Sequence, residues 1–431
     1  MKKCLVIGGG FAGLSASVFL SEQNVEVTLL EASPKLGGRA YSILDNNGKN
    51  PYDNGQHILM GCYYDTLNFL SKINALDRLD IQDSLNVTFV KRGGKEYKLK
   101  SPKHFYPFNL LYGIINYKAV SMKSRLKMID FFIDLIFCDE DDLGGLTVLQ
   151  WLKEKKQSDE AIEALWKIIT VGALNTTVEE ASAKIFAGIL KQIFLNGSKA
   201  AAIVVPNTGL SELYAQKSAE YILSRGGSIN PSERVLKFVT DQNKIREVST
   251  DKNHYKDFDF VISAVPVYSL EKIFNNSNIS TNDFNLPSLK YSPILNIHLW
   301  LKQNPFSKKF YGLVGSQFHW LFNHEGHISI TTSSAEKIIN EPNEKILKDL
   351  YSDLEIYFPI FETGFVTDYQ IVKERRATFI PDTNSEGARE KVVNQIWNFI
   401  LAGDWTNTGL PSTIESAVIS GRLAADRVIA F

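Results

Sequence analysis

The clearest alternation of apolar, small and polar positions lies in the first forty residues. Leu5-Val6-Ile7 is a short apolar, β-prone run, and Gly8-Gly9-Gly10-Phe11-Ala12-Gly13 follows it at once. Residues 14–23 have the spacing of a helix built on small residues. Residues 25–30 form a second apolar strand that ends at Glu31. Strand, glycine turn, helix, strand and acid in that order predict a dinucleotide-binding unit, because this context separates a true G-x-G-x-x-G turn from a chance match. Gly8 permits the tight turn, Gly10 lets a pyrophosphate approach the backbone, and Gly13 lets the helix pack on the sheet. Phe11 and Ala12 complete the turn and start a helix whose free N–H groups and positive dipole end suit phosphates. Glu31 stands where a carboxylate accepts hydrogen bonds from a ribose hydroxyl.

Further along, residues 85–100 read as a strand pair around Arg92-Gly93-Gly94-Lys95. Phe105, Tyr106, Phe108, Leu110, Leu111, Tyr112, Ile114 and Ile115 then form an aromatic and aliphatic surface. Leu126, Ile129, Phe132, Ile133 and Ile136 recur at helical spacing beside Lys123, Arg125 and Lys127. Periodicity leaves two readings open: a helical cap on the core, or an amphipathic face that meets a membrane or lines an apolar tunnel. Helices are predicted over 146–156, 159–171 and 178–194, the last capped by Thr176 or Thr177. From Pro206 to Leu210 the α/β pattern resumes, with a helix over 211–224 stopped by Gly226-Gly227. Strands over 234–240 and 245–250 follow, then a buried strand over 258–266. Residues 288–332 are β-rich and 336–358 helical. A strand over 399–405 ends in Gly403-Asp404, and a small-residue helix opens with Pro411 in its first turn.

The fold class is therefore α/β. A Rossmann-like dinucleotide-binding domain is assembled from 1–100, 201–268 and 376–431. It is split by an α+β substrate domain made of 101–200 and 269–375, with a helical part. Composition adds little against this: 44% hydrophobic and 22% charged residues are ordinary for a globular protein. A net charge of −1 gives no field for nucleic acid, and no nucleic-acid motif is present. Cys4, Cys62 and Cys138 form no zinc or disulfide pattern, so no metal is expected and a reducing compartment fits. No apolar run approaches the roughly 20 residues of a membrane-spanning helix.

Several residues outside the first turn carry candidate chemistry. Gly38 lets a second loop come close to phosphate or ring, and Arg39 offers a planar fork of donors. In the segment from Tyr52 to Gly61, Gly55 suits close approach of backbone to something flat. His57 and Asp53 are its titratable groups. Gly403 and Asp404 place a bare backbone beside a carboxylate suited to ribityl hydroxyls or the diphosphate end. The N–H groups near Thr413 and Ile414 suit negative charge on a reduced flavin. Only one G-x-G-x-x-G unit is present, so electrons are expected from a donor protein or a transiently bound reduced nicotinamide.

These motifs, in this order, resemble the flavin-containing amine oxidase and carotenoid desaturase superfamily along almost the whole chain. Asp53-Asn54-Gly55-Gln56-His57-Ile58-Leu59 and the run from Gly403 to Ala417 look more narrowly like the hydroxysqualene dehydroxylase family of bacterial hopanoid and squalene synthesis. The resemblance implies FAD on a GR2-type, amine-oxidase-like fold of two domains. It implies that Gly8, Gly10, Gly13, Glu31 and Arg39 hold the ADP half, with the Val235 backbone near adenine. Gly55, Asp404 and Ile414 would lie near the ribityl chain and isoalloxazine. The implied reaction is reductive removal of the hydroxyl of hydroxysqualene by reduced FAD, giving squalene. Hydroxide leaves poorly, and His57 and Asp53 are the candidates for assisting it. Aromatic faces from Tyr63, Phe318, Trp320 or Trp405 would stabilise a developing cation. A thirty-carbon isoprenoid partitions into lipid at about 0.8 kcal/mol per CH₂. The implied location is therefore cytoplasmic and peripheral, on the inner face of the cell membrane. Rival readings are a carotenoid-type desaturase, an amine oxidase and a non-catalytic FAD-binding redox sensor. No cysteine follows Cys138, which removes covalent attachment of flavin through a C-terminal cysteine.

Overall fold

β1 (Lys3–Ile7) is buried from Cys4 to Ile7, on both faces, as a central parallel strand must be. The computed structural model describes residues 1–44, 51–103, 106, 108–277, 279–324 and 326–431. After β1 come α1 (Phe11–Glu22), β2 (Glu26–Leu30) and a hairpin of β3 (Ser42–Leu44) and β4 (Pro51–Asp53). Next are β5 (Leu59–Met60), α2 (Tyr64–Lys72), β6 (Leu79–Ile81) and the hairpin β7 (Asn86–Lys91) and β8 (Lys95–Lys100). A helical block holds α3 (Asn109–Ile115), α4 (Met122–Phe137) and α5 (Val148–Glu154). In the same block α6 (Asp159–Ala161) runs through a π turn, Ile162–Trp166, into α7 (Lys167–Leu174), and α8 (Ala183–Leu195) closes it.

β9 (Ile203–Pro206) leads through a π turn, Ser211–Gln216, into α9 (Lys217–Ser224). Then follow β10 (Ser228–Asn230), the meander β11 (Val235–Asp241), β12 (Lys244–Thr250) and β13 (His254–Tyr255), then β14 (Phe260–Ser263) and α10 (Val267–Asn276). The last part holds β15 (Tyr291–Leu301), β16 (Phe310–Leu313), β17 (Trp320–Asn323), β18 (His327–Ser333) and α11 (Asn343–Tyr357). It ends with β19 (Val366–Phe379), α12 (Ser385–Glu390), β20 (Phe399–Leu401) and α13 (Ile414–Ala430).

Among the described residues two large sheets organise these elements. The first is parallel, in the order β10-β2-β1-β14-β20. Its register sets Ile7 beside Leu30 and Ser263, and Ser263 beside Leu401. The carboxyl ends of four strands are thus level, and Gly8, Glu31, Ala264 and Ala402 leave them together. This edge is where open α/β sheets bind ligands. The second sheet runs β19-β15-β18-β17-β16-β7-β8. Leu295, Ile297, Leu299, Ile328 and Ile330 on one face pack with Ile346, Leu350 and Leu354 of α11. Asn296, on the other face, donates to the carbonyl of Asn54 just after β4. Farther along that face Phe89, Phe322 and Trp320 join the helical core.

The structure differs from the sequence reading at several points. The hairpin β7–β8 joins the second sheet, with Phe89 opposite Gly312 of β16, because Val87 and Phe89 complete the helical core. A division at residue 100 therefore does not follow the sheets. Nor does one at 375, because β19 crosses it and pairs with β15. That strand was not foreseen. It is an edge strand rich in charge, and its polar sequence hides the alternation a half-buried strand would show. Helix α8 is capped by Ser182, whose hydroxyl accepts from the Ile185 N–H, and not by Thr176 or Thr177. α11 begins only after Pro342. α13 begins at Ile414 with Thr413 as its cap, so Pro411 stands outside it.

Helix α4 has two apolar faces. Met128, Phe131, Phe132 and Leu135 are buried, whereas Met122, Leu126, Ile133, Ile136 and Phe137 are exposed. Of the apolar stripe read from the sequence, only Phe132 is fully buried. Phe105, expected in the neighbouring aromatic surface, lies outside the described residues.

The first and last helices pack with almost no side chain between them. A Cβ on Gly421 of α13 would lie 2.2 Å from the Ala12 carbonyl oxygen and 2.9 Å from the Ala16 nitrogen. Ser15 donates to the Val418 carbonyl at 3.0 Å. Gly421→Ala should therefore force α13 off α1 and lower stability by about 2 kcal/mol. The measurement is urea unfolding, with a lower midpoint and an unchanged slope. An unchanged midpoint would show that the helices have room to spare.

Candidate functional site

Two glycine turns face each other at the carboxyl edge of the parallel sheet. Gly8 has φ +106°, in the region that favours glycine, and a Cβ on Gly13 would fall 1.8 Å from the Gly8 carbonyl oxygen. Gly10 precedes α1 with no side chain to cap it, and no acceptor for the N–H groups of Phe11 or Ala12 is found among the described residues. Opposite, Gly37 and Gly38 have φ +120° and +58°, and a Cβ on Gly38 would lie 3.0 Å from Gly10 Cα. The result is a cradle of bare backbone at a helix N-terminus, which is the chemistry an anionic pyrophosphate needs.

Glu31 leaves β2 beside this cradle. Its Oε2 accepts the Gly9 N–H at 2.6 Å and its Oε1 the Ser33 N–H at 2.7 Å. The chain leading to β11 runs alongside, since Glu233 N–H donates to the Glu31 carbonyl and Ser232 N–H to that of Ser33. Val235, at the start of β11, is buried there. The second glycine loop is held by Tyr214, whose hydroxyl lies 2.7 Å from the carbonyls of both Gly37 and Ala40. The Tyr214 ring stacks on Phe11 at 3.6 Å. Asn54 adds a clamp: its Nδ2 donates to the Arg39 carbonyl and its Oδ1 accepts the Tyr41 N–H.

Arg39 joins the two ends of the chain. One guanidinium nitrogen donates to the Ala377 carbonyl at 3.0 Å, and another lies 2.5 Å from Oδ1 of Asp404. Burial works against the charge on Asp404. Arg39 and the Ser412 hydroxyl outweigh it and hold the carboxyl below its usual range. Gly403, with φ +133°, donates its N–H to Ser420, and a Cβ there would lie 2.7 Å from the Trp405 ring nitrogen. Thr413 caps α13 through the Ser416 N–H, and no acceptor for the Ile414 N–H is found among the described residues. Glu415 turns away from this edge and caps α2 instead. Its carboxylate accepts the N–H groups of Asp65 and Thr66 at 3.0 and 2.9 Å.

The segment after β4 is held differently from its sequence reading. Gly55 packs against a side chain, since a Cβ there would lie 2.7 Å from Asn296 Nδ2. Asp53 accepts from the Ser42 hydroxyl at 2.7 Å and from the Leu210 N–H at 2.9 Å, which ties β4 to the start of the 211–216 turn. His57 is half-buried, and its Nδ1 lies 2.7 Å from the Gly55 carbonyl. A carbonyl only accepts, so Nδ1 carries the proton and Nε2 keeps its lone pair. Burial depresses the His57 pKa, against the Gly55 hydrogen bond, and favours this neutral ring. No hydrogen bond joins Asp53 to His57 among the described residues. Of the aromatic candidates, Phe318 is buried on the α11 side of its sheet and Trp405 is buried with its indole donating to the Val265 carbonyl. Tyr63 and Trp320 both pack against the helical core.

Sequence reasoning gave no role to Tyr214, Asn54, Asn296 or Glu415. Asn54 and Glu415 lie inside the motifs that carry the resemblance, but each of the four acts on a partner that only the folded chain brings near. One consequence is measurable at Asp53. Burial pushes its carboxyl up to about 6, although the Leu210 and Ser42 hydrogen bonds oppose this. In the unfolded chain it titrates near ~3.9. Between those values the folded state binds the extra proton, so stability should fall by roughly 2 kcal/mol as pH rises from 4 to 6. Asp53→Asn keeps both acceptor contacts and should flatten that part of the profile in thermal melts. An identical profile would assign the slope to other groups.

The chain is similar to several known proteins along almost its whole length. A hydroxysqualene dehydroxylase of Zymomonas mobilis is 27% identical over 98% of this chain and 97% of its own length. A 15-cis-phytoene desaturase of Synechococcus elongatus is 23% identical over 99% of this chain and 95% of its own. Among solved structures, an oxidoreductase from Methanosarcina mazei superposes with a TM-score of 0.73 at 16% identity, covering 100% of both chains, which shows the shared fold. The family model described as flavin containing amine oxidoreductase matches residues 11–429. With the match running from the first helix to the last, the chain belongs to the flavin containing amine oxidoreductase family.

Proposed function

We propose that this protein binds FAD and removes the hydroxyl group of hydroxysqualene reductively, yielding squalene. The observation that carries this reading is the near full-length likeness to a hydroxysqualene dehydroxylase, with the bare-backbone cradle and Asp404 loop as its physical support. When bound in its reduced form, FAD would supply the hydride that replaces the hydroxyl, which would leave as water with a proton drawn from solvent.

The chain's own residues supply binding and orientation. Gly8, Gly10 and Gly13 leave room for the pyrophosphate, with the N–H groups of Phe11 and Ala12 directed to it. Glu31 holds the ribose, exchanging its present N–H partners in part for hydroxyls, and the Val235 backbone flanks the adenine. Gly38 and Arg39 cover the diphosphate, Gly403 and Asp404 meet the ribityl chain, and the Thr413-capped N-terminus of α13 directs the Ile414 N–H at the ring. His57 is the better placed of the two titratable candidates for the substrate hydroxyl. Its Nδ1–H is anchored and Nε2 is left to accept a hydrogen bond, so a neutral His57 orients the hydroxyl rather than storing a proton for it. Asp53 supports the segment that carries it. Electrons come from a donor protein or a reduced nicotinamide.

The outer face of α4 is the proposed contact with a bilayer on the cytoplasmic side. No helix among the described residues is long and apolar enough to cross a membrane. The basic residues beside this face are largely engaged: Arg125 donates to the Ile115 carbonyl and Lys127 pairs with Asp130 at 2.9 Å. Asp139 to Asp142 follow the helix directly. Attraction should therefore be apolar, not electrostatic.

Two outcomes test these statements. Reduced, FAD-loaded protein incubated anaerobically with hydroxysqualene should form squalene as its flavin is reoxidised. Flavin that stays reduced, or a product formed only from a phytoene-type polyene by oxidised enzyme, would replace this reading with the desaturase one. In vesicle flotation the protein should bind phosphatidylcholine and phosphatidylcholine–phosphatidylglycerol vesicles alike, and hold through 0.5 M salt. Leu126→Glu with Ile133→Glu should cut that binding at least tenfold (on the order of 1.5–3 kcal/mol per apolar side chain) while sparing turnover of detergent-dispersed substrate. Binding that vanishes in salt would point to charge instead.

A further inference from the structure

Arg389, on α12, is among the largest fully buried side chains of the protein, with 1% of its surface exposed. Its Nε–H and one Nη2–H reach the Thr406 carbonyl at 3.2 and 2.6 Å, and Nη2 also lies 3.4 Å from the Thr408 hydroxyl. The guanidinium stacks on the Phe379 ring, 4.9 Å from its centre. Among the described residues no carboxylate forms an ion pair with it: Asp404 is taken by Arg39, and Glu386 pairs with Lys184. Burial depresses its pKa to about 10, although Asp404, Glu386 and Glu390 act to raise it. A buried cation left without a partner is costly, and such a cost needs an explanation.

The contacts lead to one place. Thr408 Oγ1 is 2.6 Å from Ser416 Oγ, and Ser416 Oγ donates to the Asp404 carbonyl at 3.2 Å. Ser416 also gives its N–H to the Thr413 cap, so the chain of contacts ends at the N-terminus of α13. A helix N-terminus carries about +0.5 of an elementary charge. Arg39, Arg389 and this helix end converge on one carboxylate, Asp404, since Glu386 pairs with Lys184 and Glu415 is directed to the N–H groups of α2, and this leaves the Asp404 loop with an excess of positive charge. The excess is relieved by an anion.

We propose that Arg389 is a positioning residue for the flavin: it holds the loop from Thr406 to Thr413 in place and adds positive charge where reduction of the ring creates negative charge. This inference rests on the FAD placement proposed above. Reduction brings two electrons and one proton, supplied by the donor, to oxidised FAD. The proton goes to N5 and N1 stays deprotonated, so the ring gains one negative charge, which Arg389 offsets.

The test compares FAD-loaded wild type, Arg389→Met and Arg389→Lys. Each is equilibrated with a redox dye of known potential and titrated, while oxidised, with sulfite, which adds at N5 and also leaves the charge at N1. Arg389→Met should keep one FAD per chain yet shift the reduced-to-oxidised ratio tenfold toward oxidised, about 30 mV for a two-electron couple. It should also bind sulfite about tenfold more weakly. Arg389→Lys keeps the charge and loses the fork on Thr406, so it should lie within threefold of wild type on both readings while melting at a lower temperature. Wild-type ratios and sulfite affinity in Arg389→Met would overturn the proposal and leave Arg389 as loop packing alone. Should Arg389→Met not fold, Arg389→Lys decides, since a tenfold shift there would deny the role of charge. Wild-type protein that takes up no FAD would defeat the functional reading instead.

Discussion

The ion pair between Arg39 and Asp404 is the constraint on which the rest of the site depends. It joins residues 365 positions apart, and its carboxylate side is almost fully enclosed. Buried pairs of this kind add little net stability, because desolvation offsets most of the attraction. What they do add is position. Arg39 is held at its carbonyl by Asn54 and at its guanidinium by Ala377 and Asp404, so three segments are placed against one residue. The Gly38 turn can then meet the Gly10 turn, and the Asp404 loop can deliver α13 to the same edge.

Other contacts repeat this arrangement of one segment finished by another. Glu415 begins α13 yet satisfies the orphan N–H groups of α2, and Tyr214 bridges two carbonyls of a loop nearly two hundred residues earlier. Asn296, from the second sheet, fills the space that the missing Cβ of Gly55 leaves. The nucleotide edge is consequently shaped from the substrate side as well as from its own sheet.

The glycine turns, Glu31 and the Gly403-Asp404 corner were legible in the sequence, because each demands a residue type that little else can replace. Gly13 has no space for a Cβ, and Gly8 and Gly403 have backbone conformations that side chains resist. Tyr214, Glu415, Asn296 and Arg389 were not legible: tyrosine, glutamate, asparagine and arginine occur in any helix or strand, and their partners lie far away in the chain. Helix α4 shows the same limit from another side. Its periodicity revealed a stripe of apolar residues but not that Leu126, Ile133 and Ile136 of that stripe point outward while Phe132 joins Phe131 and Leu135 on the inner face. The strand β19 escaped notice because an edge strand dense in charge looks like a loop when read locally.

The order of strands in the parallel sheet has a consequence for how the chain reaches its native state. β1 sits at the centre, between β2 close by and β14 more than two hundred and fifty residues downstream, and β20 is added only after residue 398. During synthesis the apolar flank of β1 must wait for most of the polypeptide to leave the ribosome. Contacts of such long range slow folding and keep apolar surface open to aggregation meanwhile. Until α13 emerges, Gly421 cannot seat on α1 and the N–H groups at the start of α2 lack Glu415. The contacts of α13 with α1 and α2 are therefore among the last that the order of the chain allows to form.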